Sequence, residues 1–313
     1  MTKRMRGNLL LLLTAIIWGT SFVAQTEGTK YIAPFTFIGI RSMLAGIALA
    51  IFLSVRHLVT GKKQPKEAVP EKQKEDKKVL FVGGLCCGLV LFAASMLQQV
   101  GIFFSPASGK AGFITALYLI LVPLCGIFVK KKIGGRVWFA VVLAVFGMYL
   151  LCITERFTVA KGDGFLLLCS VAFTAHILVI DRFSPRTDGV AMSCIQFFVC
   201  GSLACAGMLL FEPIDPAAIA KAAIPLLYSG VMSGGVAYTL QIVAQKDTDP
   251  TMASLLMSLE SVFAVLGGFV ILGERLSGRE IAGCTIMFAA IILTQLPEKG
   301  KRSGCCTIDK NML

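Results

Sequence analysis

Apolar residues along this chain gather in long runs, and short polar segments separate the runs. The runs fall at about 7–25, 34–54, 79–103, 107–129, 136–153, 163–180, 189–211, 218–243, 251–272 and 279–296. Each is near the roughly 17–25 residues that an α-helix needs to cross a bilayer. An open strand edge cannot satisfy its backbone in lipid, so the runs are expected to be helices. The pattern predicts an all-α polytopic membrane protein with about ten transmembrane helices. Between the second and third runs, "RHLVTGKKQPKEAVPEKQKEDKK" (56–78) has mixed charges and few apolar residues, and it reads as a flexible polar loop. The tail after Pro297 is short and polar. The N-terminus has the basic start and apolar core of a signal peptide. The cleavage position before Gln25, however, reads Phe22-Val23-Ala24 instead of small-x-small, so this stretch is taken as a retained first span.

Composition supports this reading. The 313 residues are 56% hydrophobic and 15% charged, and mean hydropathy is +0.79. A soluble chain carries about a quarter charged residues. The net charge of +12 does not point to nucleic acid, because no folded basic domain stands apart to hold it. Most of the 30 Lys and Arg lie in segments on the side of the N-terminus. Lys30, Arg156, Lys161, Lys221, Arg275 and Arg279 fall on the other side, and Arg41 and Lys110 lie inside spans. Cytoplasmic loops carry the excess of basic residues, so both termini are expected in the cytoplasm and the protein in the plasma membrane. The 11 cysteines lie mostly singly in apolar runs, as small hydrophobic residues do. Cys86–Cys87 and Cys305–Cys306 are adjacent pairs without C-x-x-C spacing, so no metal site or cofactor is expected.

Ten spans divide into two sets of five. An odd number per set makes the second enter from the opposite face, as an inverted repeat. Sliding the sequence on itself by about 142 residues lays spans three to five on eight to ten. Gln99 then falls on Gln241, Gly88 on Gly230 and Tyr118 on Glu260, with a loop-sized change of offset at spans one and six. The expected organisation is a first five-helix repeat over 1–155, which includes the polar loop 56–78, a second over 156–297, and a cytoplasmic tail over 298–313.

Four stretches, "TAIIWGTSFV" (14–23), "FIGIRSMLAGIAL" (37–49), "SGKAGFITALYLILVPL" (108–124) and "SLESVFAVLGGFVILGERLSGREIAGCTIMFAAI" (258–291), resemble the drug/metabolite transporter superfamily, in particular its EamA-type members. The resemblance spans almost the whole chain and implies a ten-helix transporter of two inverted five-helix halves around a central substrate cavity. Two departures stand out: Ser261 where such proteins often have Pro after the buried Glu, and "VKKKIGG" where the first half commonly ends in a "GER"-like stretch.

Ionisable groups inside spans are costly and default to functional hypotheses. At about 1.5 Å per helical residue, Glu260 lies near the midplane, His176 is central or slightly inward, and Arg41 and then Lys110 lie nearer the outer face. This descending series suits a pathway. Glu260 reads either as a proton or substrate-cation site or as a fixed ion pair with Arg41. Arg41 reads as a clamp for a substrate carboxylate or as a partner to helix ends. Lys110 reads as a residue that snorkels to water or as a lure at the cavity mouth. His176 reads as a hydrogen-bonded packing residue or, if it faces Glu260, as one half of a proton relay. Trp18, Tyr118 and Tyr238 could wall a cavity for an organic solute. Gln99 and Gln241 could offer polar wall contacts or interhelical hydrogen bonds. Small-residue spacings such as "GLCCG" (84–88) and "GVMSG" (230–234) permit close helix approach, and Pro123 and Pro225 could bend their spans.

The expected function is a secondary transporter that exports small metabolites, amino acids or drug-like solutes by alternating access, coupled by antiport to protons or another ion. "SPASGKAG" lacks the first glycine of a phosphate-binding loop, so no nucleotide drives it. A channel or sensor is the alternative. An intramembrane enzyme is the more distant one: the chain has only His57 and His176, no H-E-x-x-H and no G-x-S-x-G, so no catalytic residues are assigned.

Overall fold

The computed structural model describes residues 3–60, 71–105, 108–128, 133–152, 160–272 and 277–295, and the regular elements among them are helical. In chain order these are α1 (Lys3–Gly28), α2 (Pro34–Thr60), α3 (Glu71–Phe104), α4 (Ser108–Thr115), α5 (Tyr118–Phe128), α6 (Gly135–Cys152), α7 (Lys161–Phe183), α8 (Gly189–Phe211), α9 (Pro216–Lys221), α10 (Ala223–Leu227), a π-helical stretch Tyr228–Tyr238, α11 (Thr239–Gln245), α12 (Pro250–Met257), α13 (Glu260–Leu272) and α14 (Gly278–Gln295). Among the described residues, eight segments are long and apolar enough to cross a membrane: Met5–Gly28, Pro34–Val59, Lys77–Phe104, Lys110–Phe128, Lys161–Arg186, Gly189–Phe211, Ala223–Gln245 and Pro250–Gly267. The remaining two expected spans are also helical. They are α6 and α14, of 18 residues each, near the lower limit for a crossing.

The polar loop expected over 56–78 is shorter than that. α2 runs on to Thr60 and α3 begins at Glu71; the start of α3 is rich in Glu, Lys and Gln, which are strong helix formers even where no apolar face directs them. Residues 61–70, the expected repeat boundary at 155, and the tail over 298–313 lie outside the described residues. Pro123 lies inside α5 without ending it. The break in that span comes earlier, at the turn Ala116–Leu117, and a matching turn at Ser258–Leu259 separates α12 from α13. Pro225 lies in α10, just before the chain widens into the π-helical stretch. Aspartates cap three helix starts: Asp188 accepts from the Val190 and Ala191 amides, Asp215 from Ala217 and Asp249 from Thr251.

Inside lipid there is no hydrophobic drive between helices, so they are held by close packing. The principal partners of α3 are α7 and α8. The span Ala223–Gln245 packs correspondingly on α1 and α2, and α2 pairs with α8 as α6 does with α14. Two glycines set two of these crossings. A Cβ on Gly88 would lie 2.9 Å from the Gln196 carbonyl oxygen, and one on Gly230 would lie 2.9 Å from that of Arg41. The "GLCCG" and "GVMSG" spacings thus work as packing surfaces. Apolar side chains such as Val142, Leu209 and Val270 cover the outside of the bundle.

Candidate functional site

The turn that starts α13 places Glu260 at its first residue, and the equivalent turn places Tyr118 first in α5. The two meet. The Tyr118 hydroxyl donates to Glu260 Oε1 at 2.8 Å, and both side chains are buried. Gly19 lets α1 lie close against the start of α13, since a Cβ there would come within 2.6 Å of the Glu260 carbonyl oxygen. α1 presents Trp18, Ser21, Phe22 and Gln25 to the same space, a spacing that lays all four on one helix face.

These groups enclose a small polar cavity of about 20 Å³, room for about one water molecule. The indole of Trp18 donates to the Ser233 carbonyl at 3.4 Å, and its ring lies 4.6 Å from that of Tyr238. Arg41 closes the cavity toward the end of the bundle that carries Gly28, Pro34 and Phe104. Its Nη1 donates to Gln25 Oε1 at 3.0 Å, and the guanidinium lies 5.7 Å from the Phe37 ring centre. Glu260 and Arg41 are not ion-paired with each other. The cavity therefore holds one buried acid bonded to a phenol and one buried base bonded to an amide.

Of the residues singled out in the sequence, Glu260, Arg41, Trp18, Tyr118 and Tyr238 line the cavity. His176 stands behind it. Its Nε2 shares a hydrogen bond of 3.1 Å with Gln196 Oε1, and its ring lies edge-on to Tyr238 at 5.9 Å. It makes no bond to Glu260. Lys110 is not at the cavity: its Nζ is 2.6 Å from Asp163 Oδ2, which ties α4 to the start of α7. Gln99 and Gln241 are buried outside the cavity wall. Both amide atoms of Gln99 and the Oε1 of Gln241 have no hydrogen-bond partner. The sequence reading passed over Ser21, Phe22, Gln25, Gln98, Thr115, Phe173 and Ser233, which also line the cavity. Helical spacing from Trp18 would have found the first three.

Apolar helices of membrane-crossing length around a cavity that holds one acid and one base mark a polytopic membrane protein with a polar site inside its bundle. The sequence pattern of the EamA-like transporter family matches residues 5–153 and again 160–296, and the chain belongs to that family. It is 27% identical over 300 residues to an uncharacterized transporter of Archaeoglobus fulgidus, covering 94% of this chain and 87% of that one. It is 23% identical to Protein PecM of Dickeya dadantii, covering 89% of each, and 21% identical to the uncharacterized transporter YoaV of Bacillus subtilis, covering 94% and 97%. A solved crystal structure shares the fold with a TM-score of 0.72 at 17% identity, covering 92% of this chain and 96% of the other.

Proposed function

We propose that the protein is a proton-coupled secondary transporter that exports a small metabolite, amino acid or drug-like solute across the plasma membrane by alternating access. Its ten spans form two inverted five-helix halves, with both termini in the cytoplasm. The observation that carries this reading is the bond between Tyr118 and Glu260. The two are equivalent positions of the proposed repeat, and equivalent residues can touch only near the axis that relates the halves. The paired crossings of α3 and the span Ala223–Gln245, and the two successive family matches, support the same symmetry.

Glu260 is the proton or cation site, and Arg41 receives a negative group of the solute. The aromatic faces of Trp18 and Tyr238 hold its body. A cavity of about 20 Å³ is too small for such a solute, so loading requires the helices to part. His176 pairs with Gln196 and not with a serine, which favours carriage over catalysis. The test is a panel of solutes scored for thermal stabilisation of the purified protein, followed by counterflow of the hits in proteoliposomes. A hit that stabilises wild type but not Arg41→Gln, and is exchanged across the bilayer, supports the reading. Solutes that stabilise both equally and never cross would contradict it.

A further inference from the structure

On the far side of the cavity from Arg41, a seam between α7, α8 and α11 holds polar side chains in a packed interior. His176 and Gln196 bond each other, but His176 Nδ1 and Gln196 Nε2 have no partner. Further along, Thr239 donates to Ser193 at 2.9 Å, and Gln245 Nε2 donates to the Ile177 carbonyl at 3.2 Å, which leaves Gln245 Oε1 without a partner. A buried polar atom without a partner costs free energy that an apolar side chain of similar shape would avoid. One interior seam contains three such atoms, which calls for another state in which they are hydrated.

The packing indicates what that state is. Gly230 abuts the Arg41 backbone at the distance at which Gly88 abuts that of Gln196, so Gln196 occupies in the second half the place of Arg41 in the first. The same shift carries Ser21, on the cavity wall, to His176. We propose that His176, Gln196, Ser193 and Thr239 line a second vestibule. It is closed in this conformation and opens toward the end that carries Asp188 and Lys246 when the cavity's present side shuts. This rests on the two-fold reading above and adds the identity of the second pathway.

What closes the vestibule is also visible. Ile180, Met192 and Ile242 form a buried apolar cluster across the seam. Beyond them Arg56 pairs with Asp188 at 2.9 Å, and Lys246 donates to the Thr187 carbonyl. Both contacts are near the surface: the Lys246 contact crosses the seam from the end of α11 to the turn between α7 and α8, and the Arg56–Asp188 pair holds the start of α8 against α2. An exposed ion pair is a weak tie, which suits a latch that yields in every cycle.

The experiment is site-resolved thiol labelling of the full chain in lipid nanodiscs with a charged methanethiosulfonate, read by peptide mass spectrometry. Ser193→Cys and Thr239→Cys are each compared with native Cys200, buried between α2 and α8, and with Ser233→Cys in the cavity. Labelling at 193 and 239 about tenfold or more faster than at Cys200, as for an open state populated at the per-cent level, and faster again with Arg56→Gln, is the expected result. Rates no higher than at Cys200, with and without Arg56→Gln, would overturn the vestibule. If Ser233→Cys still reacts, the cavity reading stands and only this inference falls; if it too is inert, both fall. The double exchange His176→Leu with Gln196→Leu gives a second measure. The expected result is an unchanged or higher Tm, whereas a clear fall would mark the pair as permanent core and overturn the vestibule.

Discussion

Tyr118 and Glu260 stand 142 residues apart and share a hydrogen bond of 2.8 Å. That separation is the shift that, in the sequence, lays the third to fifth apolar runs on the eighth to tenth, and each residue begins the helix that follows a break in its span. The phenol gives the carboxyl a donor in a place where water is scarce.

Tyr118→Phe removes that donor and leaves Glu260 buried. Losing one partner of a buried polar group costs about 1–3 kcal/mol, so Tm should fall by several degrees. Glu260→Gln keeps an acceptor for the phenol and should melt near wild type. Thermal unfolding in detergent measures both.

Gly19→Ala should lower Tm and solute flux together, because the new methyl would lie 2.6 Å from the Glu260 carbonyl oxygen and from Phe263 Cβ. Gly112→Ala is the control. Its methyl would meet nothing closer than 3.8 Å, so both quantities should hold. Equal behaviour of the two variants would remove Gly19 from the account of the site.

Lys110 and Asp163 form a well-covered pair, with 15% and 7% of their side chains exposed. Breaking such a pair by removing one partner costs about 3–5 kcal/mol, whereas removing both is far milder. Asp163→Asn should therefore destabilise strongly, and addition of Lys110→Met should recover part of the loss. Melting of the two variants, compared as a cycle, decides it.

Much of this site was legible in the sequence. Glu260 stands out as a lone acid in an apolar run, and the internal shift leads from it to Tyr118. Trp18 sets a helix face that reaches Gln25. Other parts were not legible, for identifiable reasons. That Lys110 faces Asp163 and not the cavity depends on how α4 packs on α7, and no local spacing encodes it. Gln25 as the partner of Arg41 depends on the α1–α2 crossing. The π-helical stretch has small residues that a straight helix would also accept, so only its neighbours reveal it. The polar segment 56–78 misled because polarity signals absence of burial, which is not absence of helix.

Asp188 permits a prediction about pH. Partial burial works against its ionisation, but the Ala191 amide, Arg56 and the Val190 amide outweigh burial and hold its carboxyl below the ordinary value. A group with a lowered folded-state value contributes stability above its unfolded value and loses it as pH falls through the folded one. The Arg56–Asp188 latch should therefore stay intact from neutral pH down to the ordinary carboxylate range and release only below it. Labelling of Ser193→Cys that rises between pH 8 and 6, and still does so with Asp188→Asn, would place the pH-sensitive group elsewhere.

The most direct measurement is solute-driven proton movement in proteoliposomes that contain a pH-sensitive dye, for wild type and Glu260→Gln, with a solute shown to stabilise the protein. Wild type should move protons against the solute gradient, and Glu260→Gln, folded and still able to bind the solute, should move none. Equal proton movement by the two proteins would contradict the role given to the carboxyl at the centre of the bundle.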